Sequence, residues 1–507
     1  MPKTPKAPRK WWILLAMTAA VSMIFIDITV LPVALPTIQR KLGIPSLGLQ
    51  WIVNAYTLSL TIFLLAGGWL GARFGSRRIF ICGLFLFALS SALCGLSNSA
   101  AELILFRAIQ GMGGALLIPS AAPIIFATFS PKERGKAMGL YVGIGSVFFA
   151  LGPFIGGVFA QYLSWHYIFW INLPISLIGL ILTLIFVPEM EKQKRAFDWK
   201  GFLTFSAGVS AIVIALMQAK NWGWTSPITL LLFCLGAAFL ILLLFIEKKA
   251  KDPYVDFSLY KNRNFLGASL AVACFQFLAM VTVYWSIFFQ NVSGFSPAQA
   301  GAIILISNAP LIILSPIGGH LYDKHGPRPP VTVGFLLISV GLFLLLLNID
   351  TKNLLILLMA VIPYGCGRTF VLIPSFTFAV SEVPPEKRAI TVGSIATLRQ
   401  LGGTLGLAII TSVFLTVQEG QFAEDLQRNT STLSLAPKTF TGLLSKAPKA
   451  IVALEALPEE TRTYVKQSRV HSFISGFRAI NILSLIAALL GLGMFLWLVK
   501  KRTQPKL

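Results

Sequence analysis

The sequence predicts an all-α polytopic membrane protein of fourteen spans, with two related six-helix halves and two extra helices between them. Composition is the first reason. Hydrophobic residues fill 56% of the 507 positions and charged residues 12%, with a mean hydropathy of +0.77, more apolar than a soluble chain of this length could keep in water. The second is the number of apolar runs long enough to cross about 30 Å of hydrocarbon, roughly 17–25 residues each. The third is an internal repeat. GWLGARFGSRR at 68–78 returns as GHLYDKHGPRP at 319–329, pairing Gly68 with Gly319, Leu70 with Leu321, Arg73 with Lys324, Gly75 with Gly326 and Arg77 with Arg328. LIPS at 117–120 recurs at 372–375, and Pro131, Arg134 and Gly139 are answered by Pro385, Arg388 and Gly393. The copies stand 251 residues apart (68 to 319) and 254 apart (131 to 385). Each copy closes a long apolar run, so the repeated unit is a bundle of membrane helices.

In chain order, six spans fall near 12–36, 50–71, 79–97, 103–128, 137–161 and 167–187. Two more lie near 201–219 and 227–246. The last six lie near 264–290, 298–319, 331–348, 354–380, 389–416 and 472–499. Residues 1–188 therefore form an N-terminal half, 189–263 an inserted pair of spans with linkers, and 264–507 a C-terminal half containing a long loop, 417–471. Within that loop, 440–457 and 458–470 mix apolar and charged residues at helical spacing, which suits short amphipathic helices lying on the membrane surface. A tolerated extracytoplasmic insertion is the plainer reading. Asn291-Val292-Ser293 and Asn429-Thr430-Ser431 match the glycosylation pattern by position alone.

The net charge of +23 raises a nucleic-acid partner, which its distribution argues against. An even number of spans puts both termini on one side; the segments of that side carry 27 Lys and Arg, the opposite side 11, seven of them in the long loop. The excess is a topology signal. It places both termini in the cytoplasm and the chain, multi-pass, in a cytoplasmic (inner) membrane. The first apolar run continues past Asp27 to Pro36 without a small-residue cleavage site, so it is expected to stay as an anchor. Cys82, Cys94, Cys234, Cys274 and Cys366 all sit in apolar segments without metal spacing. With four scattered His, no metal site is expected. No G-x-x-x-x-G-K-[ST] loop is present, so no nucleotide is expected either.

Polar residues inside spans are the candidate functional groups. Asp27 is the only acid well inside a predicted span. A carboxylate at the bilayer centre costs about 2.5–3.5 kcal/mol on insertion scales, so it faces a wet cavity or takes up a proton, and a group neutral when buried and charged when hydrated can couple protons to alternating access. The other reading is a structural hydrogen bond to Thr29 or Asn54. Arg107 lies three residues before Gln110, on one helical face. Its guanidinium requires acceptors, supplied either by a functional partner or by a fixed pairing with a neighbouring helix. GPFIGG at 152–157 places Gly152, Pro153, Gly156 and Gly157 where helices approach closely and one bends. Arg368 and Arg399 have no intramembrane acid nearby in sequence. A cavity with several Arg and one Asp would suit anionic or zwitterionic cargo; the alternative is that both snorkel or cap helix ends. Asn54, Tyr56, Gln110, Asn172, Gln276, Tyr284 and Asn308, with Trp51 and Tyr364, are candidate cavity liners.

These segments resemble the major facilitator superfamily, specifically its fourteen-span drug:proton antiporter branch, over essentially the whole chain. The resemblance is carried by IDITVLPVALPTI at 26–38, QWIVNAYTL at 50–58, the loop at 68–78, FRAIQGMGGA at 106–115, GIGSVFFALGPFIGG at 143–157, WHYIFWINLPI at 165–175 and RQLGGTLGLAI at 399–409. It implies proton coupling through Asp27 and Arg107. It also implies an export-associated motif at 152–157 and a gate built from Gly68, Arg73, Gly75, Arg77 and Arg78 with Gly319, Asp323, Gly326 and Arg328. The family expects Asp at the position of Ala72, Asn at Pro32, Gly at Phe148 and Arg at His166. The function implied is a proton-coupled exporter of small amphipathic compounds, working by alternating access. Its partners would be a small-molecule substrate and the lipid bilayer, its transport unit a monomer, and its energy source the proton gradient, with no cofactor. Two alternatives stay open: a dedicated exporter of an endogenous metabolite, siderophore or lipid-like anion, and a transport-inactive sensor or scaffold.

Overall fold

A computed structural model describes residues 7–130, 133–190, 192, 196–250, 253–349, 353–383, 388–429 and 458–500. The described residues form helices and no strands. The first six spans are α1 (Ala7–Leu42), α2 (Ser46–Phe74), α3 (Ser76–Leu96), α4 (Ala100–Thr128), α5 (Arg134–Tyr162) and the broken pair α6 (Tyr167–Trp170) and α7 (Asn172–Phe186). The inserted pair is α8 (Trp199–Trp222) and α9 (Pro227–Lys249). The remaining elements are α10 (Arg263–Ala279), α11 (Val281–Asn291), α12 (Pro297–Asn308), α13 (Pro310–Ile313), α14 (Ser315–His325), α15 (Arg328–Leu347), α16 (Leu354–Ser381), α17 (Arg388–Asn429) and α18 (Glu459–Leu498). Thirteen described stretches are long and apolar enough to cross a membrane. The fourteenth span, expected near 298–319, runs from α12 to α14 with a 43° bend, where Pro310 and Pro316 each remove a helical N–H donor.

Local chemistry sets the helix ends. The Ser99 hydroxyl accepts the Glu102 N–H while the Glu102 carboxylate accepts the Asn98 N–H. Ser296 and Gln299 form a capping box with Pro297 in the first turn. Gly75 and Gly326 occupy the same place in the two copies of the repeat and both have positive φ, +95° and +75°, which lets α2 turn into α3 and α14 into α15 without a Cβ clash. On the face where α1 begins, here called the basic face, Lys10 bonds Glu133 at 2.5 Å. That bond, with one from Ser130, holds the Glu133 carboxyl below the usual carboxylate range.

The repeat persists in the packing. A Cβ on Gly111 would collide with the Tyr56 carbonyl between α4 and α2, and one on Gly365 with the Ser307 carbonyl between α16 and α12. Gly111 and Gly365 are 254 residues apart, Tyr56 and Ser307 251. The two bundles meet along two seams. On the far face α5 lies on α12, where Gly157 abuts the Pro297 carbonyl and Gly301 the Pro153 carbonyl, while Gln290 Nε2 donates to the Val33 carbonyl at 2.8 Å. Along the other seam α2 meets α17, with the Thr61 and Thr404 hydroxyls 3.0 Å apart. The inserted helix α8 covers this second seam, burying Phe205 and Val209 in one cluster with Ala66 of α2 and Ala408 of α17.

The loop expected at 417–471 differs. Helix α17 continues to Asn429 and α18 begins at Glu459, so residues 458–470 hold no separate surface helix. At 1.5 Å per residue the 42-residue α17 and 40-residue α18 are about 60 Å long, well beyond the hydrocarbon thickness. Their polar ends are held to each other: Tyr464 donates to the Asp425 carbonyl and His471 Nδ1 lies 2.8 Å from the Asp425 carboxylate. The expected piece 440–457 and the Thr430-Ser431 of the second glycosylation match lie outside the described residues, as do Pro131 and Pro385 of the repeat.

Candidate functional site

Asp27 lies near the middle of α1 and is fully buried. Its Oδ2 accepts from Arg107 Nη1 at 2.5 Å, and its Oδ1 from Gln110 Nε2 at 2.9 Å and Asn172 Nδ2 at 3.2 Å. Arg107, 1% exposed, also donates to Gln110 Oε1 at 2.8 Å and to the Ile52 carbonyl at 3.3 Å, and its guanidinium lies 4.2 Å from the Tyr56 ring centroid. Asn172 reaches on to Ser91 Oγ at 3.1 Å. Five helices, α1, α2, α3, α4 and α7, thus converge on one ion pair. In a low-dielectric interior such a pair persists only when its remaining lone pairs and protons are satisfied.

Arg107 and Gln110 share one helical face, as their spacing implies, and that face meets the Asp27 carboxylate. Neither suggested structural partner of Asp27 is used: the Thr29 hydroxyl returns to the Phe25 and Ile26 carbonyls, and Asn54 Oδ1 accepts from Thr57. Asn54, Tyr56, Gln110 and Asn172 are corrected in position. All four are buried inside the first bundle, and the last three surround the ion pair instead of lining the cavity between bundles. The sequence names their polarity; only the helix rotation decides which space they face.

That cavity lies between the bundles and is narrow, with about 40 Å³ open to the centres of water-sized spheres. Its wall takes Thr29, Pro32 and Phe149 from the first bundle and Gln276, Asn308 and Arg368 from the second. Arg368 is 1% exposed and donates from Nη1 to Asn308 Oδ1 at 3.0 Å. The side chain neither snorkels nor caps a helix end. Tyr284 lines a second cavity between the bundles toward the far face, with Gln39 and Gln50 of the first bundle and Phe414, Gln418 and Arg469 of the second. Pro153 of the small-residue motif reaches the central cavity, while Gly152 and Gly156 press against Thr29 and Val30 of α1, and Gly157 against α12.

The gate residues occupy the basic face. Arg77 bonds Glu189 at 2.9 Å and the Leu184 carbonyl at 2.9 Å, and Arg78 approaches Glu189 at 3.3 Å. Its repeat partner Arg328 donates to the Val499 carbonyl at 2.7 Å and to the Leu496 carbonyl. Each arginine holds the end of the sixth span of its own bundle, where helix carbonyls lack N–H partners and a cation is favoured. Glu189 escaped the sequence reading because it lies in the linker after α7; it pairs with Arg77 and Arg78 within the first bundle. Gly68 lies beside Pro119 and Gly319 faces open space. Arg73 and Asp323 are exposed and form no ion pair among the described residues. His166 stacks on Trp165 with ring centroids 3.9 Å apart, and burial lowers its pKa.

Two six-helix bundles around a shared cavity, with a charged group buried beside it, define a polytopic membrane transporter. The chain belongs to the Major Facilitator Superfamily, whose family model matches residues 17–407. The multidrug resistance protein Stp of Mycobacterium tuberculosis is 32% identical over 404 residues, 79% of this chain and 75% of that protein. The tetracenomycin C resistance and export protein of Streptomyces glaucescens is 30% identical over 495 residues, 96% of this chain and 91% of that protein. A bacterial homologue of the human lysosomal transporter Spinster shares the fold, with a TM-score of 0.67, 18% identity and coverage of 99% of this chain and 100% of that one.

Proposed function

We propose that this protein is a proton-coupled exporter of small amphipathic compounds in the cytoplasmic membrane, with its basic face toward the cytoplasm. Relatives named for multidrug resistance and for tetracenomycin C export support the export direction. The observation that carries the coupling is the Asp27–Arg107 pair, one residue from the cavity wall at Ile28 and Thr29. A proton arriving on the Asp27 carboxylate removes the negative partner of Arg107. The guanidinium, permanently charged, must then find other acceptors, and α1 and α4 shift as it does. Because α1 also forms the cavity wall, its movement alters the space open to cargo. Proton uptake and substrate release are thereby linked through one helix, in keeping with a carboxylate that is charged when paired and neutral when protonated.

The test is flux in proteoliposomes under an imposed pH gradient, following ethidium and tetraphenylphosphonium together with a carboxylated dye, in wild type and in Asp27→Asn. Proton-driven accumulation by wild type that falls at least about tenfold in the variant, while passive exchange of substrate continues, is expected. Gradient-driven flux of unchanged rate in Asp27→Asn would sink the coupling role. A wild type that moves none of the probes would favour the sensor or scaffold alternative.

A further inference from the structure

Charge is distributed unequally between the two buried arginines. Arg107 has its carboxylate and three further contacts. Arg368, as deeply buried, has one acceptor, the neutral Asn308 oxygen. Its Nε has no partner, and among the described residues no carboxylate lies within ion-pair distance of it. Phe275 and Tyr364 flank the guanidinium at 5.2 and 5.6 Å; their π faces attract the cation but take none of its N–H bonds. An Arg cannot be neutralised by losing its proton, and a buried charge is retained where a counter-charge meets it. The residue forms part of the cavity wall, so a bound molecule can supply that charge.

The rest of the wall describes the remainder of the molecule. No Asp or Glu lines this cavity, so its formal charge is that of Arg368 alone. Phe149, Met280 and Ile304 are apolar, and Gln276 and Thr282 offer neutral hydrogen bonds. Arg399 lies one helical turn from Gly403, whose Cβ position is 2.9 Å from Gln276, and its buried Nε is likewise unpartnered.

We propose that the central cavity receives an amphipathic molecule bearing an anionic oxygen group, such as a carboxylate, held by the Arg368 guanidinium with Asn308 orienting it. This rests on the exporter reading and names its substrate class: the cargo's anionic end binds in the second bundle while the proton is handled in the first. A planar guanidinium offers paired N–H donors at the spacing of carboxylate oxygens, and Arg368 has donors to spare. A lipophilic cation entering the same space would meet like charge.

The test uses matched acid and ester pairs: dansylglycine and its methyl ester, rhodamine B and its ethyl ester. Each is titrated by fluorescence anisotropy into the purified full-length protein in a low-salt zwitterionic buffer. We expect each acid to bind at least about tenfold more tightly than its ester, the discrimination typical of a hydrogen bond to a charged group. Arg368→Gln should bring the acid to the level of the ester and leave the ester unchanged, and Arg368→Lys should keep part of the preference. Equal binding of acid and ester, failure of both acids to bind wild type, or a preference surviving in Arg368→Gln would each overturn the proposal. So would thermal stabilisation by chloride that depends on Arg368 and comes with no acid preference, since the cation would then hold an inorganic ion. The wild-type preference needs no variant and stands even if Arg368→Gln does not fold. Binding also needs no gradient: an acid preference without driven flux sinks only the exporter reading, and driven flux of acids and esters alike sinks only this one.

Discussion

At the scale of single residues, the first bundle is organised by a charge pair whose two side chains are each only 1% exposed. Removing one member of such a pair leaves the other uncompensated, at a cost of about 3–5 kcal/mol. Asp27→Asn should therefore lower unfolding stability in detergent by about that amount. Asp27→Asn combined with Arg107→Gln, which leaves no charge behind, should recover more than half of it. Additive losses in this double-mutant cycle would mean that Asp27 and Arg107 contribute independently, contrary to their 2.5 Å contact. Asp27, Arg107 and Gln110 were legible in the sequence, because an acid or a guanidinium inside an apolar run is costly wherever it falls. The sequence did not disclose that they meet one another, nor that Tyr56 and Asn172 complete the network. Those contacts depend on how four helices are rotated, a property without a one-dimensional signature. Arg368 shows the reverse: its lack of an acidic neighbour along the chain is matched by the lack of an ion-pair partner among the described residues.

At the scale of elements, glycines set how closely helices approach, and the far-face seam depends on two of them. Gly157 and Gly301 each stand against a backbone carbonyl of the opposing bundle, where a flexible side-chain tip could yield but a main chain cannot. Gly301→Val should disfavour the closed seam by about 1–3 kcal/mol, the usual cost of overpacking, which is roughly 5- to 150-fold in the closed-to-open ratio. The check is maleimide labelling of Gln290→Cys, beside that seam, in a variant whose five native cysteines are replaced. Labelling should quicken severalfold with Gly301→Val; an unchanged rate would show that α5 and α12 separate elsewhere. The small-residue string at 152–157 was readable as a close-packing motif. Its partner Gly301 was not, since a lone Gly near a helix start carries no special pattern. The ends of α17 and α18 were misplaced for a related reason. Apolar runs report where a helix contacts lipid, and a helix continues past that boundary when a neighbour covers it, as Phe422, Leu426 and Val465 show by their burial.

At the scale of the whole molecule, the repeat gave the two bundles and the apolar runs the span count, while neither gave the inserted helices a task. Of the pair, α8 lies across the α2–α17 seam and α9 packs on α8. Toward the basic face the insertion is tied to the first bundle: Trp69 Nε1 donates to the Ala196 carbonyl at 3.0 Å, its ring lies 4.5 Å from that of Phe197, and the Tyr254 hydroxyl donates to the Ile62 carbonyl at 2.6 Å. Toward the far face it meets the second bundle, where Trp224 Nε1 lies 3.4 Å from Thr416 Oγ1. Along its own length α8 packs more extensively on α17 than on α2, but the segments flanking the inserted pair bond the first bundle through Ala196, Phe197 and Tyr254, so in a rocking motion the insertion should travel with the first bundle and let α17 slide past it. Joining Trp224→Cys to Thr416→Cys with a thiol-cleavable crosslinker about 10 Å long, within reach of those two side chains, should then reduce flux severalfold, and reduction should restore it. Control crosslinking between Phe202→Cys and Phe63→Cys, whose rings stand 5.6 Å apart between α8 and α2, should leave flux near its starting rate. If instead the α2 crosslink arrests transport and the α17 crosslink does not, α8 moves with the second bundle, and Trp224, despite its longer bond, marks the stronger attachment.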